Sequence, residues 1–215
     1  MVNWKPWTRE ELAARVAQDI PEGWYVNLGI GIPTLIGNYI PEGREVVLHS
    51  ENGIVGMGPA PSPETLNPWL VNASRQHVTL VTGASYMNHA DSFGLVRGGH
   101  LDLCVLGGFQ VAENGDLANW SRSENDNAPA IGGAMDLAVG AKRIWVVMEH
   151  TTKSGEKRIL KRCTYPLTGP ACVNRVYTDL AVIDVTEKGF IVRDMVPGIT
   201  LAELRALGDA ALHQS

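Results

Sequence analysis

The residues best suited to chemistry form a short segment, Leu48-His49-Ser50-Glu51-Asn52-Gly53. It ends an apolar run over residues 45–49 that predicts a short buried strand, and the glycines and prolines after it exclude regular helix or strand interior. A side chain at such a junction is fixed by the strand, and a substrate can reach it through the loop. Glu51 is therefore a candidate catalytic carboxylate, and the alternative is a solvated glutamate at a strand end.

A glycine-rich segment, Gly29-Ile30-Gly31-Ile32-Pro33, lies between a predicted strand and a predicted helix. Its first two glycines match a dinucleotide-binding loop, but Thr34 stands where that loop requires Gly or Ala. Free N–H groups at a helix start favour an anion or a carbonyl oxygen. We interpret the segment as a loop that lets a substrate approach the backbone closely, and an NAD-dependent oxidoreductase is the weaker alternative.

A second pair of glycines, Gly132 and Gly133, precedes a predicted helix that begins at Ala134. Small residues at a helix start can present successive backbone N–H groups to a ligand oxygen, as an oxyanion hole requires. Close packing of the helix would demand the same small residues. The residues alone leave both interpretations open.

Serine and metal chemistry find little support. Neither Ser50 nor Ser85 has both glycines of the Gly-x-Ser-x-Gly motif of hydrolases. Two His/Asp pairs would each share a face if they lay on strands, but neither has a third ligand nearby. The pairs are His89 with Asp91 and His100 with Asp102. We expect core or hydrogen-bonding roles for these residues and no metal site.

Alternating strand and helix patterns predict the frame of the molecule. Strands are expected over residues 24–28, 45–49, 77–81, 101–106, 143–149, 176–177, 180–185 and 190–193, and helices over 8–20, 34–39, 134–140 and 200–213. Strands that are apolar throughout, rather than alternating between apolar and polar residues, indicate burial on both faces of the sheet. The sequence therefore predicts an α/β fold with a largely parallel sheet flanked by helices, in one domain over 1–215, with residues 62–68 as a long active-site loop.

The composition excludes several classes of protein. The chain has 45% hydrophobic residues and a formal net charge of −5, with acidic and basic residues interspersed, so it has no basic cluster for a nucleic-acid backbone. No stretch approaches the roughly 18 apolar residues of a membrane span, and the first residues lack an apolar leader. Three cysteines without metal-type spacing suit a reducing compartment, so we expect a cytoplasmic protein.

Several long segments resemble one known family. The hexapeptide at Glu51 resembles the active-site signature of the class I CoA-transferases, in their B (beta) subunit. Segments that resemble the B subunit of 3-oxoacid CoA-transferases cover residues 25–34, 51–59, 97–102, 115–120, 132–137 and 166–169. They follow one another in order along nearly the whole chain, which implies a CoA-transferase-like fold throughout.

The resemblance assigns roles to the candidate residues. It implies that Glu51 is the nucleophile, which is converted to a glutamyl-CoA thioester, and that backbone N–H groups of Gly132 and Gly133 form the oxyanion hole. The same resemblance places the following residues near the substrate or CoA: Asn27, Gly29, Gly31, Asn52, Gly53 and Arg75. It implies no cofactor, because the CoA thioester is itself a substrate.

The resemblance also implies a partner and a substrate. The A-type signature Gly-Gly-Phe-Gly is absent, since Gly107-Gly108-Phe109 is followed by Gln110, so a separate A-type chain and a heterotetramer are expected. Residues 76–83, 89–93 and 163–166 are closer to the 3-oxoadipate branch, so transfer from succinyl-CoA to 3-oxoadipate is favoured over acetoacetate. A non-catalytic ligand-sensing module of the same fold is a further alternative, but a sensor would not need a carboxylate at Glu51.

Overall fold

The computed structural model describes residues 4–123 and 131–214. Its helices are α1 (Arg9–Asp19), α2 (Ile32–Leu35), α3 (His89–Arg97), α4 (Ala134–Gly140) and α5 (Leu201–Ala206). Its strands are β1 (Tyr25–Leu28), β2 (Val47–Ser50), β3 (Ile54–Met57), β4 (Leu80–Tyr86), β5 (Leu103–Gly107), β6 (Gln110–Ala112), β7 (Leu117–Ala118), β8 (Ile144–Met148), β9 (Ile159–Leu160), β10 (Val173–Thr178), β11 (Ala181–Thr186), β12 (Gly189–Met195) and β13 (Leu212–Gln214). Within the described ranges, no helix has both the length and the apolar character that crossing a membrane requires.

Ten of these strands form one sheet, in the order β13-β12-β11-β10-β8-β5-β1-β2-β3-β4. The run from β10 to β2 is parallel, and β3, β4, β11 and β12 extend it with antiparallel pairs. The predicted α/β class with a largely parallel sheet is confirmed. A small second sheet, β7-β6-β9, was not predicted, because strands of two or three residues are too short to give a pattern.

The main sheet has an apolar core on each face, and β8 shows how one strand serves both. Every residue of β8 is buried. Ile144, Val146 and Met148 pack into one core, whereas Trp145 and Val147 pack into the other. This alternation of neighbouring side chains between two cores explains why the central strands read as continuous apolar runs.

Two capping boxes set helix starts where the sequence predicts them. Thr8 and Glu11 cap α1, and Thr200 and Glu203 cap α5. The prediction that the last helix continues to about residue 213 is wrong, since α5 ends at Ala206. The chain then turns, and β13 pairs with β12 so that Leu212 is fully buried, a long-range contact that helix propensity does not contain.

The segment before residue 100 differs most from the prediction. The strand predicted over 77–81 lies later, because β4 begins at Leu80 and runs as an exposed edge strand to Tyr86. The unpredicted helix α3 follows, and its N-cap Asn88 accepts a hydrogen bond from the backbone N–H of Asp91 at 2.9 Å. His89 and Asp91 therefore occupy the first turn of a helix rather than one face of a strand.

Candidate active site

The carboxyl ends of four neighbouring parallel strands, β2, β1, β5 and β8, meet at one edge of the main sheet. Glu51 follows β2, Gly29 follows β1, Gly108 follows β5 and Glu149 follows β8. All four residues line one cavity of about 740 Å³. This edge suits a ligand because the strands fix the side chains while the loops leave backbone groups accessible.

Five of the predicted site residues line this cavity. They are Gly29, Gly31, Glu51, Gly132 and Gly133. The first and last of these residues are about a hundred positions apart in the chain. The fold brings them together because the loop after β1, the loop after β2 and the start of α4 open at the same sheet edge. The cavity therefore combines one carboxylate from the end of β2 with glycine backbone from two other segments.

A tight turn holds Glu51 between β2 and β3. The N–H of Gly53 donates to the carbonyl of Ser50 at 2.9 Å, and the carbonyl of Gly53 accepts from the N–H of Met87 at 3.0 Å. Gly53 has φ 114°, a conformation that side chains disfavour, and a Cβ there would collide with the Met87 carbonyl oxygen. Gly53 is thus required for the turn and for the close approach of the segment that leads into α3.

The environment of Glu51 shifts its protonation equilibrium. Burial raises the pKa of Glu51 above its ordinary value, because a carboxylate loses hydration inside the cavity. The charge of His89 opposes this shift and lowers the pKa of Glu51. A partly desolvated carboxylate is less stabilised by water, which favours its reaction with an electrophile.

Four buried polar side chains from β1, β2, α3 and β5 form a hydrogen-bonded chain that includes His49, in the strand that leads to Glu51. The Asn27 amide nitrogen lies 3.0 Å from His49 Nδ1, and His49 Nε2 lies 2.8 Å from the Ser92 hydroxyl. The Cys104 thiol donates to the Asn27 amide oxygen at 3.4 Å. Asn27 is fully buried and does not line the cavity, so its predicted place near the substrate stays a prediction.

Asn52 and Arg75 lie outside the cavity lining. The Asn52 amide donates to the Val71 carbonyl at 2.8 Å and so ties the turn at Glu51 to the loop that follows β3. Arg75 is exposed and has φ 61° in that same loop. The structure therefore brings neither side chain into the cavity lining, and their predicted contacts with CoA stay predictions.

Gly133 is tightly packed, as expected if the two glycines serve close packing of the helix start. A Cβ at Gly133 would collide with the Phe93 ring of α3, lying 2.8 Å from Cε1 and closer still to Cζ. Gly132 has φ 57°. Close packing and exposure of backbone to the cavity are thus both present at this helix start, and neither excludes the other.

The sequence prediction missed several cavity residues. Phe109 and Trp120 line the cavity, as do Arg9 and Arg158, which both pair with Glu149. Arg158 lies 3.0 Å and Arg9 lies 3.4 Å from the Glu149 carboxylate. Glu149 ends a predicted strand, so the reasoning applied to Glu51 would have found it, whereas its two partners are fixed only by tertiary structure.

No group of three or more His, Cys, Asp or Glu residues within 4–123 and 131–214 is arranged to hold a metal ion. The His100 and Asp102 pair illustrates why. The Asp102 carboxylate accepts from the N–H of Tyr25 at 3.0 Å and from the Lys142 ammonium at 2.8 Å. These bonds tie β1 to the segment before β8 and give Asp102 a structural role.

A comparison with protein families decides what kind of chain this is. The model of the coenzyme A transferase family matches residues 9–206, which include every residue that lines the cavity. The chain belongs to this family. The resemblance noted in the sequence is thereby confirmed for the family as a whole.

Curated relatives and solved structures agree with this assignment. The chain is 55% identical over 208 residues to the B subunit of 3-oxoadipate CoA-transferase from Pseudomonas putida, with 97% of each chain covered. It is 43% identical to the B subunit of succinyl-CoA:3-ketoacid coenzyme A transferase from Helicobacter pylori, covering 94% of this chain and 97% of the relative. The acyl-CoA transferase YdiF of Escherichia coli O157:H7 shares the fold, with a TM-score of 0.76 at 20% identity; all of this chain superposes on 42% of that longer chain.

Proposed function

We propose that this chain is the B subunit of a two-subunit CoA-transferase, and that it carries the nucleophilic glutamate, Glu51. The observation that carries this proposal is the contrast between the two carboxylates of the cavity. Glu149 is neutralised by Arg9 and Arg158, whereas no salt bridge of the described residues includes Glu51. An unpaired carboxylate whose pKa is raised by burial is the better nucleophile of the two.

The reaction follows from the carboxylate. A Glu51 oxygen attacks the thioester carbonyl carbon of the acyl-CoA, and the carbon–sulfur bond breaks to release CoA thiolate and leave an acyl-glutamyl anhydride. The thiolate then attacks the glutamyl carbonyl, which releases the donor acid as its carboxylate and leaves a glutamyl-CoA thioester. An acceptor carboxylate runs these steps in reverse and departs as the new acyl-CoA. Serine or cysteine could not serve, because the nucleophile must itself become the acyl group.

The glycines would supply the remaining chemistry. Each attack produces a tetrahedral oxyanion, and backbone N–H groups of Gly132 and Gly133 are candidates to stabilise it. Gly29 and Gly31 would let the substrate approach the loop after β1 closely, as side chains there would occupy cavity space. Anhydride formation from a thioester is uphill, so contacts with the distant part of CoA must stabilise the transition state.

The relatives support a specific pair of substrates and a partner. The P. putida relative is named for 3-oxoadipate and the H. pylori relative for succinyl-CoA and 3-ketoacids, and both are named as B subunits. We infer that CoA moves from succinyl-CoA to 3-oxoadipate, with acetoacetate as the alternative acceptor. We also infer a complementary A-type chain, assembly as a heterotetramer and a cytoplasmic location.

The decisive experiment traps the glutamyl-CoA thioester. The chain is co-expressed with its A-type partner, incubated with succinyl-CoA and treated with borohydride, which reduces an enzyme thioester and inactivates the enzyme. Peptide mapping should find the reduced residue at Glu51, and Glu51→Ala should abolish transfer without preventing assembly. A reduced Glu149, or transfer that persists with Glu51 unmodified, would show that the assignment is wrong.

Two further measurements settle the substrate and the class of protein. The ratio of kcat/KM for 3-oxoadipate and acetoacetate identifies the acceptor. Binding of acyl-CoA by the assembled complex without any transfer, for every acid tested, would favour the ligand-sensing alternative.

A further inference from the structure

The buried polar chain of Asn27, His49, Ser92 and Cys104 joins four elements of the fold. Asn27 comes from β1, His49 from β2, Ser92 from α3 and Cys104 from β5. Asn27, Ser92 and Cys104 are 0% exposed and His49 is 1% exposed. Buried polar groups are costly unless they are all paired. A chain of four that includes His49, in the strand leading to Glu51, and Cys104, on which the Glu51 charge acts, therefore calls for an explanation beyond packing.

The hydrogen bonds define the protonation state of His49. An amide nitrogen only donates, so His49 Nδ1 must accept from Asn27, and Nε2 must carry the proton that is donated to the Ser92 hydroxyl. Burial lowers the pKa of His49 to about 4, in agreement with a neutral ring. The ring therefore orients its neighbours without placing a positive charge in the strand that leads to Glu51.

The other end of the chain is also kept neutral. Burial raises the pKa of the Cys104 thiol well above its ordinary value, and the charge of Glu51 raises it further. Cys104 thus keeps its proton and donates it to Asn27. A thiolate here would repel the Glu51 carboxylate, and the hydrogen-bonded chain avoids this.

Helix α3 links the hydrogen-bonded chain both to Glu51 and to the glycine pair of α4. Ser92 receives the His49 hydrogen bond, and the neighbouring Phe93 packs against Gly133. His89, one turn earlier, lies in edge contact with the Phe93 ring at 4.9 Å between ring centroids and acts electrostatically on Glu51. The bond between His49 and Ser92 consequently fixes the distance between the strand that leads to Glu51 and the helix that supports Gly133.

We propose that His49 and Ser92 are positioning residues that hold Glu51 in register with the glycine pair of α4, through the hydrogen bond between β2 and α3. This inference rests on the proposed role of Glu51 as nucleophile. Neither residue lines the cavity, so both would act through the backbone elements they join. Loss of their bond should loosen the geometry of attack, and an error of about 1 Å in such geometry lowers a rate by about 100-fold.

The test compares two hydroxyl deletions in the assembled two-chain complex. Ser92→Ala removes the partner of His49. Thr178→Val is the matched control, because Thr178 binds His150 at 3.0 Å, both residues are fully buried, and neither lines the cavity. Single-turnover formation of the Glu51 thioester is measured against succinyl-CoA concentration, and borohydride labelling counts the active sites so that unfolded protein does not enter the rate constant.

Ser92→Ala should lower the saturating rate constant by about 10- to 100-fold while the half-saturating succinyl-CoA concentration stays within about twofold. Thr178→Val should lower the melting temperature but leave the rate constant within about twofold of the unsubstituted complex. Ser92→Thr, which keeps the hydroxyl, should restore most of the rate in its folded fraction.

An unchanged rate constant for Ser92→Ala, or equal losses in Ser92→Ala and Thr178→Val, would overturn the positioning role. A thioester that still forms in Glu51→Ala would instead refute the proposed nucleophile. The two failures are therefore distinguishable in the same assay.

Discussion

Replacing Gly133 with alanine should slow thioester formation through a steric effect alone. Gly133 has φ −74°, which alanine adopts freely, so the substitution adds only a methyl group. That methyl would collide with the Phe93 ring, 2.8 Å from its Cε1 atom. Phe93 is only 7% exposed, so its ring has little free space into which it could turn.

The size of the effect follows from the distance that the groups must move. Nonbonded carbon atoms pack roughly 3.5–4.0 Å apart, so the ring of Phe93 or the backbone at Gly133 must shift by about 1 Å. Overpacking of this kind costs about 1–3 kcal/mol of folding free energy. A shift of about 1 Å at reacting groups lowers a rate by about 100-fold. We expect the complex to fold and its single-turnover rate to fall by about 10- to 100-fold.

A glycine in α3 provides the control for this experiment. A Cβ at Gly94 would meet no atom within 4 Å, so Gly94→Ala should leave the rate unchanged and stabilise the helix by about 0.5–1 kcal/mol. The double variant Gly133→Ala with Phe93→Leu removes the ring and should recover part of the lost rate. Equal single-turnover rates for Gly133→Ala and Gly94→Ala would refute the argument that Phe93 and Gly133 are coupled.

Three other substitutions test the electrostatics and the turn at Glu51. Because burial raises the pKa of Glu51, the charge of Glu51 destabilises the fold at neutral pH. Glu51→Gln should therefore raise the free energy of unfolding, and this gain should vanish as the pH falls through the raised pKa. A gain that does not depend on pH would contradict the reasoning. His89→Gln removes a charge that lowers the pKa of Glu51, so the acid limb of the pH profile of kcat/KM should move to higher pH. An acid limb at unchanged pH would show that His89 has no electrostatic effect on the site. Gly53→Ala should lower the free energy of unfolding by about 1–3 kcal/mol or more in denaturant titrations, because the added methyl group meets the Met87 carbonyl. The loss should exceed that of Gly83→Ala, since Gly83 also has a positive φ but a methyl group there would meet no atom within 4 Å.

The sequence predicted the sheet edge because the strands that form it are buried on both faces. Such strands appear as uninterrupted apolar runs, and their carboxyl ends are then marked by the first polar or glycine residue. Glu51 and Gly29 were found in this way, and the structure places both in one cavity. The glycines before α4 were found by helix-start reasoning, which is similarly local.

Because these strands are buried on both faces, the sequence does not show to which face an individual side chain points. Asn27 lies between Val26 and Leu28 in a strand with both faces covered, so alternation does not tell which face the site occupies. The hydrogen-bonded chain that includes Asn27 continues through His49 to Ser92, and these two residues are 43 positions apart in the sequence. Contacts of this kind arise from the order of strands in the sheet, and that order was not predicted.

Helix α3 explains why one missed element matters for the chemistry. The sequence prediction paired His89 with Asp91, as positions two apart share a face on a strand. On a helix the shared face is formed by positions three and four apart, and His89, Ser92 and Phe93 have that spacing. They act respectively on Glu51, on the His49 ring and on Gly133. One helical face thus acts on the proposed nucleophile, its supporting strand and the glycine pair, so substitutions on that face should alter the rate of attack before they alter the affinity for acyl-CoA.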